Sequence, residues 1–366
     1  MGEPRYTVEY DSRLGLYRWQ IQPGERLMAG APSPARAAPR IVALGGGTGL
    51  PVLLEGLRAA LFPPSRAWEP ARDGDRLTAV VTVADDGGSS GRLRHAYHVL
   101  PPGDIRNCLL ALSDGDPTLA SIFNFRFDGA GEVAGHSLGN LILTALSRLE
   151  RDFLEAVERG GQILAIRGRV FPSTLEDVTL RAEFADGSSV EGESQIPAVR
   201  RAIRRVALRP EGAHALPQAR QAVEAADLIV IGPGSLYTSL IATLLLRDLA
   251  HDIARSRARV VLVMNLMTER GETDGYTAAD HLQALRRHAP EVHVTDVLLN
   301  TAPIPPASID YYAAEGAAPV PPDAKLLQAM GCQPVERDLL SPGPLVRHDP
   351  HKLAQAVLAL AAEGAR

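Results

Sequence analysis

Cysteine is almost missing. Cys108 and Cys332 are the two in 366 residues, far apart and in no Cys-x-x-Cys pair, which excludes a disulfide framework and a thiolate zinc site. Lysine is as scarce: Lys325 and Lys352 stand among 38 basic residues, and neither is near a glycine-rich loop. The lysine-bearing phosphate loop Gly-x-x-x-x-Gly-Lys-Ser/Thr is therefore absent, and with it the kinases and ATPases that depend on it. Any phosphate must be held by backbone N–H groups, hydroxyls and arginine. There is no basic excess either, since 38 basic against 43 acidic side chains leave a net charge of −5, which gives no general attraction to nucleic acid or to an anionic membrane. No apolar run approaches the ~20 residues of a membrane span. The N-terminal MGEPRYTVEY leads into no apolar signal region, so a cytoplasmic protein is expected.

What is present reads as globular, with 45% hydrophobic and 22% charged residues. The length suits one large or two ordinary domains. Tyr6, Val8 and Tyr10, then Tyr17, Trp19 and Ile21, alternate around a break at 12–15 and predict a hairpin. Residues 29–40, rich in Ala, Pro and Arg, read as a linker, so 1–39 form an N-terminal hairpin and linker with no assigned function. Strands are predicted over 41–44, 77–84, 227–231, 259–264 and, as the last of the set, 292–299. Helices are predicted over 51–61, 104–113 and 138–150. This βαβα order predicts an α/β fold, a Rossmann-like, doubly wound, mainly parallel sheet built from 40–159 and 211–355. Between them, 162–170, 178–184, 188–193 and 202–208 are short and alternating, with a turn signal at Asp186-Gly187. Residues 160–210 thus read as a small antiparallel β insertion.

Six loops carry the candidate chemistry. The first strand runs into Gly45-Gly46-Gly47-Thr48-Gly49 before Pro51; its glycines let amides approach an anion, and the helix start adds partial positive charge. The glycine spacing is not that of the dinucleotide fingerprint, because Leu50 stands where a third glycine belongs. After the second strand come Asp85, Asp86, Gly87, Gly88, Ser89 and Ser90. Those carboxylates suit a ribose or a divalent cation, and the same residues equally suit an Asx-turn. In the third loop, Asp104 is expected to cap a helix starting at Ile105, with Arg106 and Asn107 in its first turn. The fourth offers His136 and Asn140, the fifth Gly232, Gly234 and Ser235. This fifth turn repeats the first, so the two are expected to hold a diphosphate between them. In the sixth region Asn265 ends a strand, followed by Gly271-Glu272-Thr273-Asp274-Gly275-Tyr276 and a capping-box helix entry. From the residues alone, Tyr312 and Arg347 are structural side chains or ligand contacts.

Taken in order, these loops resemble the YvcK/CofD family, in particular its YvcK branch of gluconeogenesis factors, over about residues 40–352. The resemblance implies a Rossmann-like core that binds a nucleoside diphosphate or nucleotide sugar. It implies a cytoplasmic regulator that binds UDP-sugars such as UDP-N-acetylglucosamine and links carbon metabolism in gluconeogenic growth to cell-wall synthesis and cell shape. By family position, Tyr312 and Arg347 become UDP-sugar contacts. No cofactor is required under this reading. A regulatory or cell-wall-synthesis protein partner and a homodimer are left open.

The sister branch, 2-phospho-L-lactate transferase, moves a phospholactyl group from a nucleoside-diphosphate donor to a deazaflavin with Mg²⁺, which Asp85 and Asp86 would hold here. Loops 85–91 and 101–107 differ from that branch, and aromatic residues at 5% give little material for a deazaflavin pocket. Catalysis is therefore not expected. A nicotinamide-dependent oxidoreductase shares the fold, but no catalytic Tyr-Lys or Cys-His set accompanies it.

Overall fold

The computed structural model describes residues 6–11, 16–21, 39–63 and 67–364. The chain forms two compact units, Met1–Ala38 and Pro39–Arg366. In the first, β1 (Tyr6–Asp11) and β2 (Leu16–Ile21) pair antiparallel, from Tyr6 opposite Ile21 to Asp11 opposite Leu16. The predicted hairpin is there. The predicted linker lies outside the described residues except for positions 39 and 40.

The second unit is built on a seven-stranded, all-parallel sheet. Its strands are β3 (Ile41–Gly45), β4 (Leu77–Val81), β5 (Arg169–Pro172), β9 (Leu228–Ile231), β10 (Arg259–Val263), β11 (Asp296–Asn300) and β12 (Gln333–Arg337). They lie side by side in the order β12-β11-β10-β9-β3-β4-β5. Central strands such as IVALG, LTAVV and LIVI are buried at every position, the continuous apolar signature of strands covered by helices on both faces. A smaller sheet holds β6 (Thr179–Phe184), β7 (Ser189–Glu191) and β8 (Ile203–Arg209) in the antiparallel order β7-β6-β8. The Asp186-Gly187 turn joins β6 to β7, with Gly187 at φ 86°.

Three expectations need correction. The predicted strand 162–170 forms only at its last two residues: Phe153–Ile163 is helical, and β5, which starts at Arg169, pairs parallel with β4 as an edge of the main sheet. The antiparallel insertion therefore begins after Pro172, not at 160. The main sheet also continues one strand past β11, onto β12. The predicted strand 292–299 is therefore not the last of the set; Gln333–Arg337 is polar and carries Pro334, which is tolerated on an edge strand. Third, Asp104 does not cap its helix. The helix runs Gly103–Leu112, Asp104 sits inside its first turn, and the N-cap position is Pro102, whose side chain makes no capping bond.

The remaining predicted helices form as Gly49–Leu61 and Leu138–Leu149. The capping box is present at Thr277 and Asp280, opening Ala278–His288. Among the described residues, no helix is long and apolar enough to cross a membrane.

Candidate functional site

From β3 the chain steps outward through β4 to β5; from β9, beside β3, it steps the other way to β12. The crevice between the carboxyl ends of β3 and β9 is thus the switch point where open α/β sheets bind ligands. Both glycine turns leave from it. They pack backbone on backbone: a Cβ on Gly49 would lie 2.6 Å from the Pro233 carbonyl oxygen, and one on Gly234 would lie 3.2 Å from that of Gly46. Gly47 and Gly232 hold φ of 65° and 83°, conformations that favour glycine. Gly45 and Gly232 admit the Leu240 side chain between the turns. The helix Gly49–Leu61 begins at once, its positive end at the crevice.

A cavity of about 670 Å³ opens on these turns, and Thr48, Gly49, Gly234, Ser235, Asn265, Tyr312 and Arg347 line it. Asn265 clamps the second turn, donating from Nδ2 to the Gly234 carbonyl (2.9 Å) and accepting the Gly234 amide on Oδ1 (3.3 Å). The Tyr312 hydroxyl accepts the Val346 amide (3.3 Å), and its ring meets Tyr311 edge-on at 5.4 Å. Arg347 is exposed and, among the described residues, no carboxylate pairs with it. Beside it His348 is buried, with its Nε2 lacking a partner among the described residues. Burial pulls the pKa of this imidazole down to about 4, against a bond to the Met264 carbonyl, so the ring is neutral.

The other predicted residues sit elsewhere along the same edge. Asn107 lines a neighbouring hollow of about 640 Å³, which also contains Thr48 and Arg347. Asp104 reaches the first turn: its Oδ2 accepts the Gly47 amide at 2.7 Å, and a Cβ on Gly46 would lie 2.7 Å from it. Burial, with the Asp85 charge nearby, pushes the pKa of Asp104 up to about 6 despite that bond. Asp85 accepts the Gly87 amide (2.8 Å) and bonds Ser90, whose Oγ accepts the Gly103 amide (3.1 Å). Burial raises Asp85 as well. Asp86 points away, to the insertion, where Oδ1 accepts the Ser194 amide at 2.8 Å. Ser89 bonds His136 Nδ1 (2.8 Å) and accepts from Asn140 Nδ2 (3.0 Å) in a buried cluster. Burial, then Arg92 and Arg126, lower the pKa of His136. Among the described residues no three His, Cys, Asp or Glu side chains are grouped to hold a metal ion.

The family model described as 2-phospho-L-lactate transferase CofD matches residues 41–340. This chain belongs to the CofD family. It is similar to the gluconeogenesis factor of Listeria monocytogenes, 45% identical over 323 residues that cover 88% of this chain and 95% of that one. It is likewise similar to the gluconeogenesis factor of Bacillus subtilis, 43% identical over 326 residues covering 89% and 99%. A crystal structure of a UPF0052 family member from Bacillus halodurans superposes with a TM-score of 0.81 at 42% identity, covering 87% of this chain and 99% of that chain.

Two groups of this CofD-family protein escape a reading of its sequence. Glu272 lies within a quoted loop, but its role is set by contact: Oε1 accepts the Thr238 hydroxyl (3.0 Å) and Oε2 the Tyr237 amide (3.2 Å). Glu193 comes from the insertion. Burial first, then the Asp85 and Glu272 charges, push its pKa up to about 8, and Glu272 is itself raised to about 7 by burial and by Glu269. Carboxylates therefore already occupy one amide beside each glycine turn, Gly47 and Tyr237. In the other group, Leu266 to Arg270 wall the main cavity as the loop that follows β10. Their position after a buried strand was the available signal.

Proposed function

We propose that the protein is a nucleotide-sugar-binding regulator, with the diphosphate of a UDP-sugar such as UDP-N-acetylglucosamine held at the switch point. The observation that carries this reading is the convergence on one cavity of the Arg347 guanidinium, which has no ion-pair partner among the described residues, with the helix start at Thr48 and Gly49. A planar fork and a helix N-terminus both select phosphate oxygens. Tyr312 and Asn265 line the same space and suit a nucleoside. In this reading the protein acts in the cytoplasm, linking carbon supply in gluconeogenic growth to cell-wall synthesis and cell shape through a protein partner. The name gluconeogenesis factor, carried by its relatives, supports the metabolic half of that role. Calorimetric titration with UDP-N-acetylglucosamine, with and without Mg²⁺, tests it: saturable binding is expected, and no heat or thermal shift at millimolar ligand sinks it.

A second reading is a phospholactyl transferase, favoured by the description of the matching family model. Turnover of a lactyl-diphosphonucleoside with a deazaflavin acceptor would put it first.

A further inference from the structure

Thr48 and Arg347 line both hollows, the 670 Å³ cavity and the 640 Å³ groove beside it, and so stand at the divide between them. They are also the groups best suited to a phosphate, at a helix N-terminus and on a guanidinium without an ion-pair partner among the described residues. An anion seated there sends one substituent into each compartment. The two compartments differ in chemistry. The first holds the tyrosine pair, Asn265 and charged side chains. The second has an apolar floor from Leu110, Ala120 and Val52, the last of which also borders the first, with neutral polar groups at Asn107, Ser121 and Asn124.

Besides Arg347, two charged side chains line this compartment, Arg58 and the exposed Glu55. Arg58, at its edge, pairs with Asp114 at 3.2 Å. The orientation of Asn107 is chemically determined. The Arg106 guanidinium, which can only donate, bonds Asn107 Oδ1 at 2.5 Å. The Asn107 Nδ2 group is left as the donor available to a ligand. An apolar floor beside amides, a hydroxyl and the Glu55 carboxylate fits one face of a neutral, polyhydroxylated ring, whose hydroxyls can donate to that carboxylate.

We infer that the groove floored by Val52, Leu110 and Ala120 is the subsite for the sugar on the distal phosphate, with Asn107 Nδ2 donating to one of its oxygens. This assignment rests on the nucleotide-sugar reading above and adds where the sugar lies and what selects it. The nucleoside and the sugar then occupy opposite sides of Arg347.

The experiment compares Kd for UDP and for UDP-N-acetylglucosamine by calorimetry in the full chain, in Ala120→Phe and in Asn124→Tyr. Ala120→Phe fills the groove from its floor, and Asn124→Tyr obstructs it from an exposed position that folding does not depend on. The wild type is expected to prefer the sugar nucleotide at least tenfold, and both variants to bring that preference toward one. A preference that survives both substitutions overturns the subsite. So does a wild type that binds the two ligands equally, although that result leaves the nucleotide reading standing. Failure of the wild type to bind either probe removes both.

Discussion

The Gly47 amide donates to Asp104 Oδ2 across 2.7 Å, joining the first glycine turn to a helix 57 residues further on. An amide in the turn expected to grip a diphosphate is thus already held by a carboxylate. The pKa of that carboxylate, about 6, lies near physiological pH.

A diphosphate beside Asp104 adds negative charge and raises its pKa further, so the bound state holds more protons than the free one. Affinity for a nucleotide sugar, whose phosphates do not titrate in this range, is expected to rise about three- to tenfold as pH falls from 7.5 to 5.5. Asp104→Asn should flatten that profile. Calorimetry in two buffers of different ionisation enthalpy measures the proton uptake directly. An equally steep profile in the variant would refute the coupling.

Stability should follow the acidic groups at the insertion. Glu193 and Glu272, with folded values of about 8 and about 7, stand above the ordinary 4.5. Within that window the folded chain keeps protons that the unfolded chain has released, so stability falls as pH rises from about 5 to 8. The Tm is expected to drop over that interval. Glu193→Gln should raise Tm at pH 8 and leave it little changed at pH 5.

Gly49→Ala tests the contact between the turns. The added Cβ would meet the Pro233 carbonyl oxygen and carbon at 2.6 and 2.7 Å, and backbone on both sides cannot yield cheaply. A loss of about 1–3 kcal/mol is expected in denaturant unfolding, together with loss of nucleotide binding. Gly187→Ala, at φ 86° with open space around it, should cost about 1 kcal/mol and leave binding as it was.

Arg347→Ala should separate binding from folding. The side chain is exposed and has no carboxylate partner among the described residues, so Tm should shift by no more than ~2 °C. Hydrogen bonds to a charged group contribute about 1.5–3 kcal/mol each, which predicts at least a tenfold weaker Kd for UDP. Arg347→Lys keeps the charge but not the planar fork and should recover only part of that loss.

Much of this was readable along the chain because the signals are local. Buried parallel strands write themselves as continuous β-branched runs, as in Asp227–Ile231 and the stretch to Met264, and glycines mark the turns that end β3 and β9. Asp104 and β12 were not readable in the same way. Aspartate ahead of an apolar helix is an ordinary cap, and only the approach of the Gly47 amide gives its carboxylate another partner. Gln333–Arg337 has no periodic apolar signal, because an edge strand buries little; pairing with β11 makes it a strand.

Composition and glycine spacing by themselves determined that no lysine loop serves here and that two glycine-rich turns each end a buried strand, since backbone freedom and side-chain chemistry belong to single residues. Only the tertiary structure decided which side chains share a hollow. It set Asn107 and Asn265 in separate compartments on either side of Arg347, and it turned Asp86 away to the insertion. Those outcomes depend on distances between segments tens to hundreds of residues apart, which packing of the helices on the sheet determines and no local pattern encodes.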